Sequence, residues 1–180
     1  MKNIIKLSVI SILCILGAVC AIQTEAKVYT TVSAGYLFNE TDKKHRVLDS
    51  EENGIGAIAI GYSGVLQNTN VQLEYYKSRG QINTAAIWQD VKQHDLNIIG
   101  IIPVANVANG FDLYGLGGIG YTYLTGASET ESSNAIIGGG LEYYSTPKVS
   151  LITEVRTNYN IRKNYWQQAF VVGLKFNLGK

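Results

Sequence analysis

The chain lacks cysteine beyond its first twenty residues, since Cys14 and Cys20 are its only two. No disulfide framework can therefore hold residues 27–180 together, so the fold needs another source of stability. Closing a β-sheet into a barrel is one solution, because a closed sheet satisfies its backbone hydrogen bonds without crosslinks.

Long apolar runs are absent after Ile22, which excludes a helical membrane protein, because a spanning helix needs about 20 apolar residues. The earlier run from Leu7 to Ile22 follows two lysines and predicts an export signal over residues 1–26, with cleavage after Ala21 or Ala26. Cys20 lacks the leucine three residues before it that a lipidation signal usually has. The rest, residues 27–180, has the length of one domain.

An excess of charge of one sign is also missing. Removing Lys2 and Lys6 from the 15 basic residues leaves 13, against 14 acidic residues, and the basic residues are scattered along the chain. This distribution excludes a nucleic-acid-binding surface.

Residues that could carry catalysis or hold a metal are scarce. The two histidines, His45 and His94, have no partner at catalytic or metal-ligand spacing. The glycine-rich run at residues 115–120 has no helix after it, which argues against a phosphate-binding loop. We therefore predict no enzymatic activity, no cofactor and no metal.

Eight segments alternate apolar and polar residues with the period of two that is typical of β-strands. They cover residues 27–38, 54–62, 71–78, 96–102, 111–124, 135–144, 149–159 and 165–178. Long polar stretches at residues 39–53, 79–90 and 125–133 follow the first, third and fifth segments, and short turns follow the second, fourth and sixth. Because outer-membrane barrels have long loops at one end and short turns at the other, we predict an all-β fold, an eight-stranded antiparallel transmembrane β-barrel.

The two faces of the segments differ in chemistry. One carries most of the large aromatic residues, towards the strand ends, as in the aromatic girdles of membrane barrels. The other combines glycines with six ionisable residues: Glu74, Asp112, Glu142, Glu154, Arg156 and Lys175. We predict that these six form a paired charge network in a filled polar lumen, since unpaired buried charges are costly. The alternative is a soluble, lipocalin-like periplasmic binding protein with the apolar face inside.

The last four segments resemble the small outer-membrane β-barrel superfamily, which includes OmpA-like, OmpX/Ail-like and opacity-type surface proteins. The resemblance is carried by LYGLGGIGYTY (113–123), IGGGLEYY (137–144), VSLITEVRTNY (149–159) and VVGLKFNL (171–178). The last of these looks like the C-terminal strand signal read by the barrel-assembly machinery, with Gly173, Phe176 and Leu178 at the signal positions. It departs from the usual pattern because it ends in leucine rather than an aromatic residue and two residues follow it.

The resemblance implies a location in the outer membrane, with membrane lipid and the barrel-assembly machinery as partners. It does not fix the function, because one fold hosts many functions. We expect a non-enzymatic surface protein whose loops at residues 39–53 and 79–90 serve adhesion, host interaction or envelope integrity. The alternative is a narrow ion or solute channel, porin-like and gated by the lumenal charge pairs.

Overall fold

The chain forms a closed barrel of eight antiparallel strands, which confirms the predicted fold class. A computed structural model describes residues 27–42, 54–66, 69–84, 87–126, 130–161 and 165–178. The strands are β1 (Lys27–Asp42), β2 (Gly54–Leu66), β3 (Thr69–Thr84), β4 (Ile87–Ala108), β5 (Phe111–Thr125), β6 (Thr130–Thr146), β7 (Val149–Asn160) and β8 (Tyr165–Asn177). Each strand pairs with the next along the chain, and β8 pairs with β1. The predicted export signal lies outside the described residues.

Strand β7 shows how the sequence pattern becomes a barrel wall. Successive side chains on a strand point to opposite faces, and along β7 every even-numbered residue is buried while the odd-numbered residues are partly or fully exposed. The same alternation in the middle of the other seven strands gives them the inner and outer faces expected from their sequences, whereas residues 102–108 of β4 and 143–146 of β6 are exposed on both faces. No helix among the described residues is long and apolar enough to cross a membrane.

The end of the barrel that carries Lys27 and Asn177 has tight turns. Between β4 and β5, Gly110 adopts a φ of 85°, a conformation that glycine reaches without steric cost. Between β6 and β7, the side-chain oxygen of Thr146 accepts hydrogen bonds from the backbone N–H groups of Lys148 and Val149. Local turn chemistry therefore sets the register at this end.

The opposite end differs from the sequence prediction. The loop expected at residues 79–90 is wrong, because β3 and β4 stay paired as far as Thr84 and Ile87. The loop expected at residues 125–133 is too long, because β6 begins at Thr130. Neither stretch alternates regularly between apolar and polar residues, so the sequence has no period of two by which a strand could be recognised there. Of the first predicted loop, residues 39–42 belong to β1 and residues 43–53 lie outside the described part of the chain.

Strand β4 also continues past Pro103, where the sequence predicted its end. The register against β5 shifts between Pro103 and Ala105 and again between Asn106 and Ala108. Proline has no N–H group to donate and is tolerated in sheets at such bulges. The strand therefore reaches Ala108 with local irregularities rather than stopping.

The outer surface of the barrel is apolar around its middle. Seven of the large aliphatic side chains that face outward there are 50% or more exposed: Val32, Ile58, Ile60, Ile102, Ile119, Ile137 and Val155. Aromatic pairs lie towards the two ends: the rings of Phe111 and Tyr143 are 4.5 Å apart, as are those of Tyr159 and Trp166. A continuous apolar belt of this size is unusual for a soluble monomer and suits contact with hydrocarbon.

Candidate functional site: the filled lumen

An ion-paired cluster crosses the middle of the barrel interior. Arg156 on β7 donates from Nη1 to both carboxylate oxygens of Glu74 on β3, each at 2.8 Å. Because β3 and β7 are four strands apart in a ring of eight, this contact joins opposite walls. Arg156 also forms an ion pair with Glu154, and the three residues are only 1–2% exposed.

Neutral polar side chains complete this central cluster. Tyr114 Oη donates to Glu154 Oε1 at 2.7 Å, and Asn97 Nδ2 donates to Glu74 Oε1 at 3.2 Å. Asn134 Nδ2 in turn donates to Asn97 Oδ1 at 3.3 Å. Two carboxylates and one guanidinium give the central cluster a formal charge of −1, which the surrounding hydrogen-bond donors stabilise.

A second ion pair lies nearer the end that carries the termini. Lys175 Nζ on β8 is 2.9 Å from Glu142 Oε2 on β6. The same ammonium lies 4.7 Å from the centre of the Tyr29 ring on β1, within range of a cation–π interaction. Tyr29 Oη donates to Gln72 Oε1 on β3 at 3.3 Å, so this group ties together side chains from four strands.

Towards the opposite end, an amide pair spans the lumen. Gln93 on β4 and Gln167 on β8 exchange two hydrogen bonds of 3.1 Å, again between strands four apart. Gln93 Nε2 also donates to Asp95 Oδ2 at 2.8 Å. Asp95 is buried, so it adds an acidic group that the sequence analysis did not include in the charge network.

The lumen is filled, but it is not polar throughout as the sequence analysis expected. One buried apolar cluster consists of Ile99, Ile101, Tyr114, Leu116 and Ile136, and another of Leu37, Ile55, Ala57, Tyr76, Ala169 and Val171. These clusters explain why the inner face of β4 carries isoleucines. The interior of an eight-stranded barrel is just wide enough for side chains to fill, and apolar contacts occupy the space beside the ion pairs.

The six predicted network residues separate into three places. Glu74, Glu154 and Arg156 lie in the central cluster, and Glu142 and Lys175 form the second pair. Asp112 joins neither group: it lies at the rim, where it accepts hydrogen bonds from Asn106 Nδ2 at 2.7 Å and Tyr144 Oη at 2.9 Å.

The sequence did not predict the neutral side chains that hydrogen-bond or pack with the ionised groups in the lumen. They are Tyr29, Gln72, Gln93, Asn97, Tyr114, Asn134 and Gln167. Strand parity places all of them on the inner face, so their positions could have been found from the sequence. Most of their pairings could not, because the partners belong to strands that are not adjacent.

The three residues of the predicted assembly signal lie at the seam between β8 and β1. A Cβ atom on Gly173 would approach Ser33 Cβ to 2.6 Å and Val32 O to 2.8 Å, so glycine permits close contact of the two strands. Phe176 and Leu178 face outward, and the N–H of Leu178 donates to Val28 O at 2.8 Å. Phe176 pairs with Thr30 of β1, so all three residues lie where β8 closes the barrel.

The histidines do not belong to the lumen as far as the structure describes it. His94 faces outward, with its Nδ1 2.7 Å from Tyr75 Oη, and His45 lies outside the described residues. Across the described ranges, no group of three or more histidine, cysteine, aspartate or glutamate side chains could hold a metal ion.

Comparison with solved structures relates this geometry to known proteins. Neisserial surface protein A is 15% identical, with 85% of this chain and 99% of that chain covered and a TM-score of 0.68. Ail, the attachment invasion locus protein of Yersinia pestis, solved with the heparin analogue sucrose octasulfate, is 12% identical, with coverage of 85% and 98% and a TM-score of 0.57. A major outer membrane protein of Thermus thermophilus is 9% identical, with coverage of 84% and 99% and a TM-score of 0.58.

No family model and no curated protein sequence matches the chain. At these low identities the structural likeness establishes the fold alone, which is that of the small eight-stranded outer-membrane barrels.

Proposed function

We propose that the protein is a non-enzymatic outer-membrane barrel that acts through its cell-surface end, in adhesion, host interaction or envelope integrity. The observation that carries the proposal is the contrast between the two sides of the wall. The outside is an exposed apolar belt, whereas the inside is filled by ion pairs, hydrogen bonds and apolar clusters. A wall of this kind suits a lipid bilayer and leaves little room for a ligand within.

The end opposite the termini provides the surface on which such a function could act. Strand β3 continues nine residues beyond Tyr75, from residue 75 to Thr84, which corresponds to about 30 Å along the strand. Its partner β4 accompanies it, and β1 and β8 remain paired as far as Asp42 and Tyr165. These extensions project beyond the apolar belt, and residues 43–53 follow the end of β1 in the sequence.

The names of two similar proteins support a surface role. One is called a surface protein and the other an attachment and invasion protein. Both share the barrel with this chain, although sequence identity is too low to transfer a ligand or partner.

Fractionation of cells tests the location. The protein should sediment with the outer membrane and migrate faster on a gel before boiling than after it, because a folded barrel resists detergent unfolding. A soluble periplasmic protein with no change on boiling would contradict the proposal and would favour the lipocalin-like alternative.

Removal of residues 43–53 tests the functional end. Cells that display the shortened barrel should lose adhesion to a cultured epithelial monolayer while the heat-dependent gel shift is retained. The matched control is Ser145→Ala, which changes the turn end of the barrel and should leave adhesion unchanged. Equal adhesion by the shortened and intact proteins would refute loop-borne adhesion.

The second candidate is a narrow ion channel, and the net negative charge of the central cluster is the observation that favours it. Arg156 bridges the lumen, so its removal should open a path for cations if the lumen conducts. Planar-bilayer recordings of the unaltered protein and of Arg156→Ala distinguish the two functions. If neither protein conducts ions, the channel is excluded, and a higher conductance of the variant would support a latent pore.

A further inference from the structure

The outer face of β3 and β4 changes from apolar to basic towards the extended hairpin. Above Tyr75, the next outward residues on β3 are Lys77 and Arg79, and the residues paired with them on β4 are His94 and Lys92. The three cations are exposed and His94 is partly exposed. These four residues form the outer basic cluster. Cross-strand neighbours lie about 5 Å apart and alternate residues about 7 Å apart along a strand, so the four groups share one small patch.

Among the described side chains of β3 and β4, no acidic group shares this outer face, because Glu74 and Asp95 are both buried in the lumen. Like charges directly opposite each other on a sheet are destabilising, and Arg79 faces Lys92 across the ladder. Within the part of the chain that the structure describes, all three salt bridges lie inside the lumen and none involves the outer basic cluster. Tyr75 Oη contacts the His94 ring, which fixes one corner of the patch.

The position of the outer basic cluster along the barrel indicates what could neutralise it. On this outer face Tyr75 and its partner Leu96 lie directly below Lys77 and His94, and Leu73 and Ile98 lie below them. Tyrosine is enriched where membrane hydrocarbon meets the headgroups, and long basic side chains extend from that level into the polar region. The cations therefore lie at headgroup height, directly above a surface suited to acyl chains.

We propose that the outer basic cluster binds the phosphate groups of a lipid in the outer leaflet of the membrane. This inference rests on the proposed outer-membrane location. A phosphorylated lipid satisfies both parts of the surface at once, because its phosphates meet Lys77, Arg79 and Lys92 while its acyl chains lie on the apolar face below. A free anion or a soluble polyanion would contact only the upper part.

Lipid binding by the purified protein in detergent tests the proposal. The probes are lipid A with both phosphates, the same lipid after dephosphorylation, inorganic phosphate and sucrose octasulfate, and native mass spectrometry measures the bound lipid. The test variant is Lys77→Gln/Arg79→Gln/Lys92→Gln. The matched control is Lys27→Gln/Lys148→Gln, which removes exposed lysines at the opposite end of the barrel.

The unaltered protein and the control should prefer phosphorylated lipid A over the dephosphorylated form. Each Lys or Arg near an anionic lipid surface contributes about fivefold in affinity, so the triple variant should bind phosphorylated lipid A about 100-fold more weakly. The heat-dependent gel shift verifies that each variant is folded. The single variant Lys77→Gln, with a loss of about fivefold, provides the test if the triple variant does not fold.

Three results would overturn the inference. They are equal binding of lipid A with and without phosphate, unchanged affinity of the triple variant and of Lys77→Gln, and displacement of the lipid by millimolar inorganic phosphate. Saturable binding of sucrose octasulfate that depends on the same residues would also overturn it, in favour of a soluble polyanion. Because these measurements use the folded barrel in detergent, they can fail while cell fractionation still places the protein in the outer membrane. A soluble periplasmic location would instead overturn the proposed function itself.

Discussion

Replacement of Arg156 by alanine should be among the most destabilising single changes in the lumen. It removes two ion pairs and leaves Glu74 and Glu154 buried with no cation between them. The formal charge of the central cluster would change from −1 to −2. Breaking a buried ion pair by removing one partner costs about 3–5 kcal/mol, because the remaining charge stays desolvated.

Glu74→Gln is the informative comparison. The amide keeps the shape of the side chain and an oxygen that can accept from Arg156 Nη1, and Arg156 retains its pair with Glu154. The formal charge of the central cluster would change from −1 to zero. We therefore expect a loss of about 0.5–1.5 kcal/mol, the range of one ordinary hydrogen bond.

Denaturant-induced unfolding in lipid vesicles measures both variants, with tryptophan fluorescence and gel mobility as independent readouts of the barrel. The free energies of unfolding should rank the unaltered protein first, then Glu74→Gln, then Arg156→Ala. Equal losses for the two variants, or a loss below about 1 kcal/mol for Arg156→Ala, would refute the view that charge balance governs the interior.

Three further changes test other parts of the barrel. Gly118→Ala should lower the free energy of unfolding by about 1–3 kcal/mol, because its Cβ would overlap the carbonyl oxygen of Ile98. A Cβ at Gly117 has room, so Gly117→Ala should change stability by less than about 0.5 kcal/mol. Equal effects of the two variants would contradict this prediction. Lys175→Met should lower the free energy of unfolding by about 1–3 kcal/mol, which is less than the loss for Arg156→Ala, because Glu142 is closer to solvent than Glu74. A loss larger than that of Arg156→Ala would contradict this ranking. If Phe176 serves as an assembly signal, Phe176→Ala should strongly reduce the amount of protein in the outer membrane while the variant refolded in detergent keeps most of its stability. Similar relative losses in both measurements would indicate a purely structural role.

The faces of the strands could be predicted because the barrel imposes two different environments on alternate residues. In β7, Glu154 and Arg156 are buried while Val155 between them is exposed, as its period of two predicts. The same rule placed Ile99 and Ile101 inside despite their apolar character, and they pack against Leu116 and Ile136.

The hairpin formed by β3 and β4 could not be predicted in the same way. The sequence of residues 79–90 lacks the regular alternation of apolar and polar residues that identifies a strand. Backbone pairing still continues to Thr84 and Ile87. Backbone hydrogen bonds between antiparallel strands do not depend on an alternating sequence, so the pattern alone could not reveal this pairing.

The pairing of the lumenal residues depends on closure of the barrel. Glu74 and Arg156 are 82 residues apart, and they meet only because β3 and β7 occupy opposite walls. Asp112 has the same strand parity as the network residues, yet its place at the rim gives it Asn106 and Tyr144 as partners. Parity determines the face of a residue, whereas its height and its partner follow from register and strand tilt.

Nitroxide accessibility along β7 tests the central claim most directly, namely that the apolar face meets lipid. Residues 27–180 contain no cysteine, so Leu151→Cys, Val155→Cys and Tyr159→Cys can each be labelled singly in protein that is folded into vesicles. Labels at these outward positions should be relaxed strongly by oxygen and weakly by a water-soluble nickel complex, with the largest contrast at residue 155. Strong relaxation by nickel, or protection from both reagents, would contradict the account, because it would place this face in water or in a packed protein core.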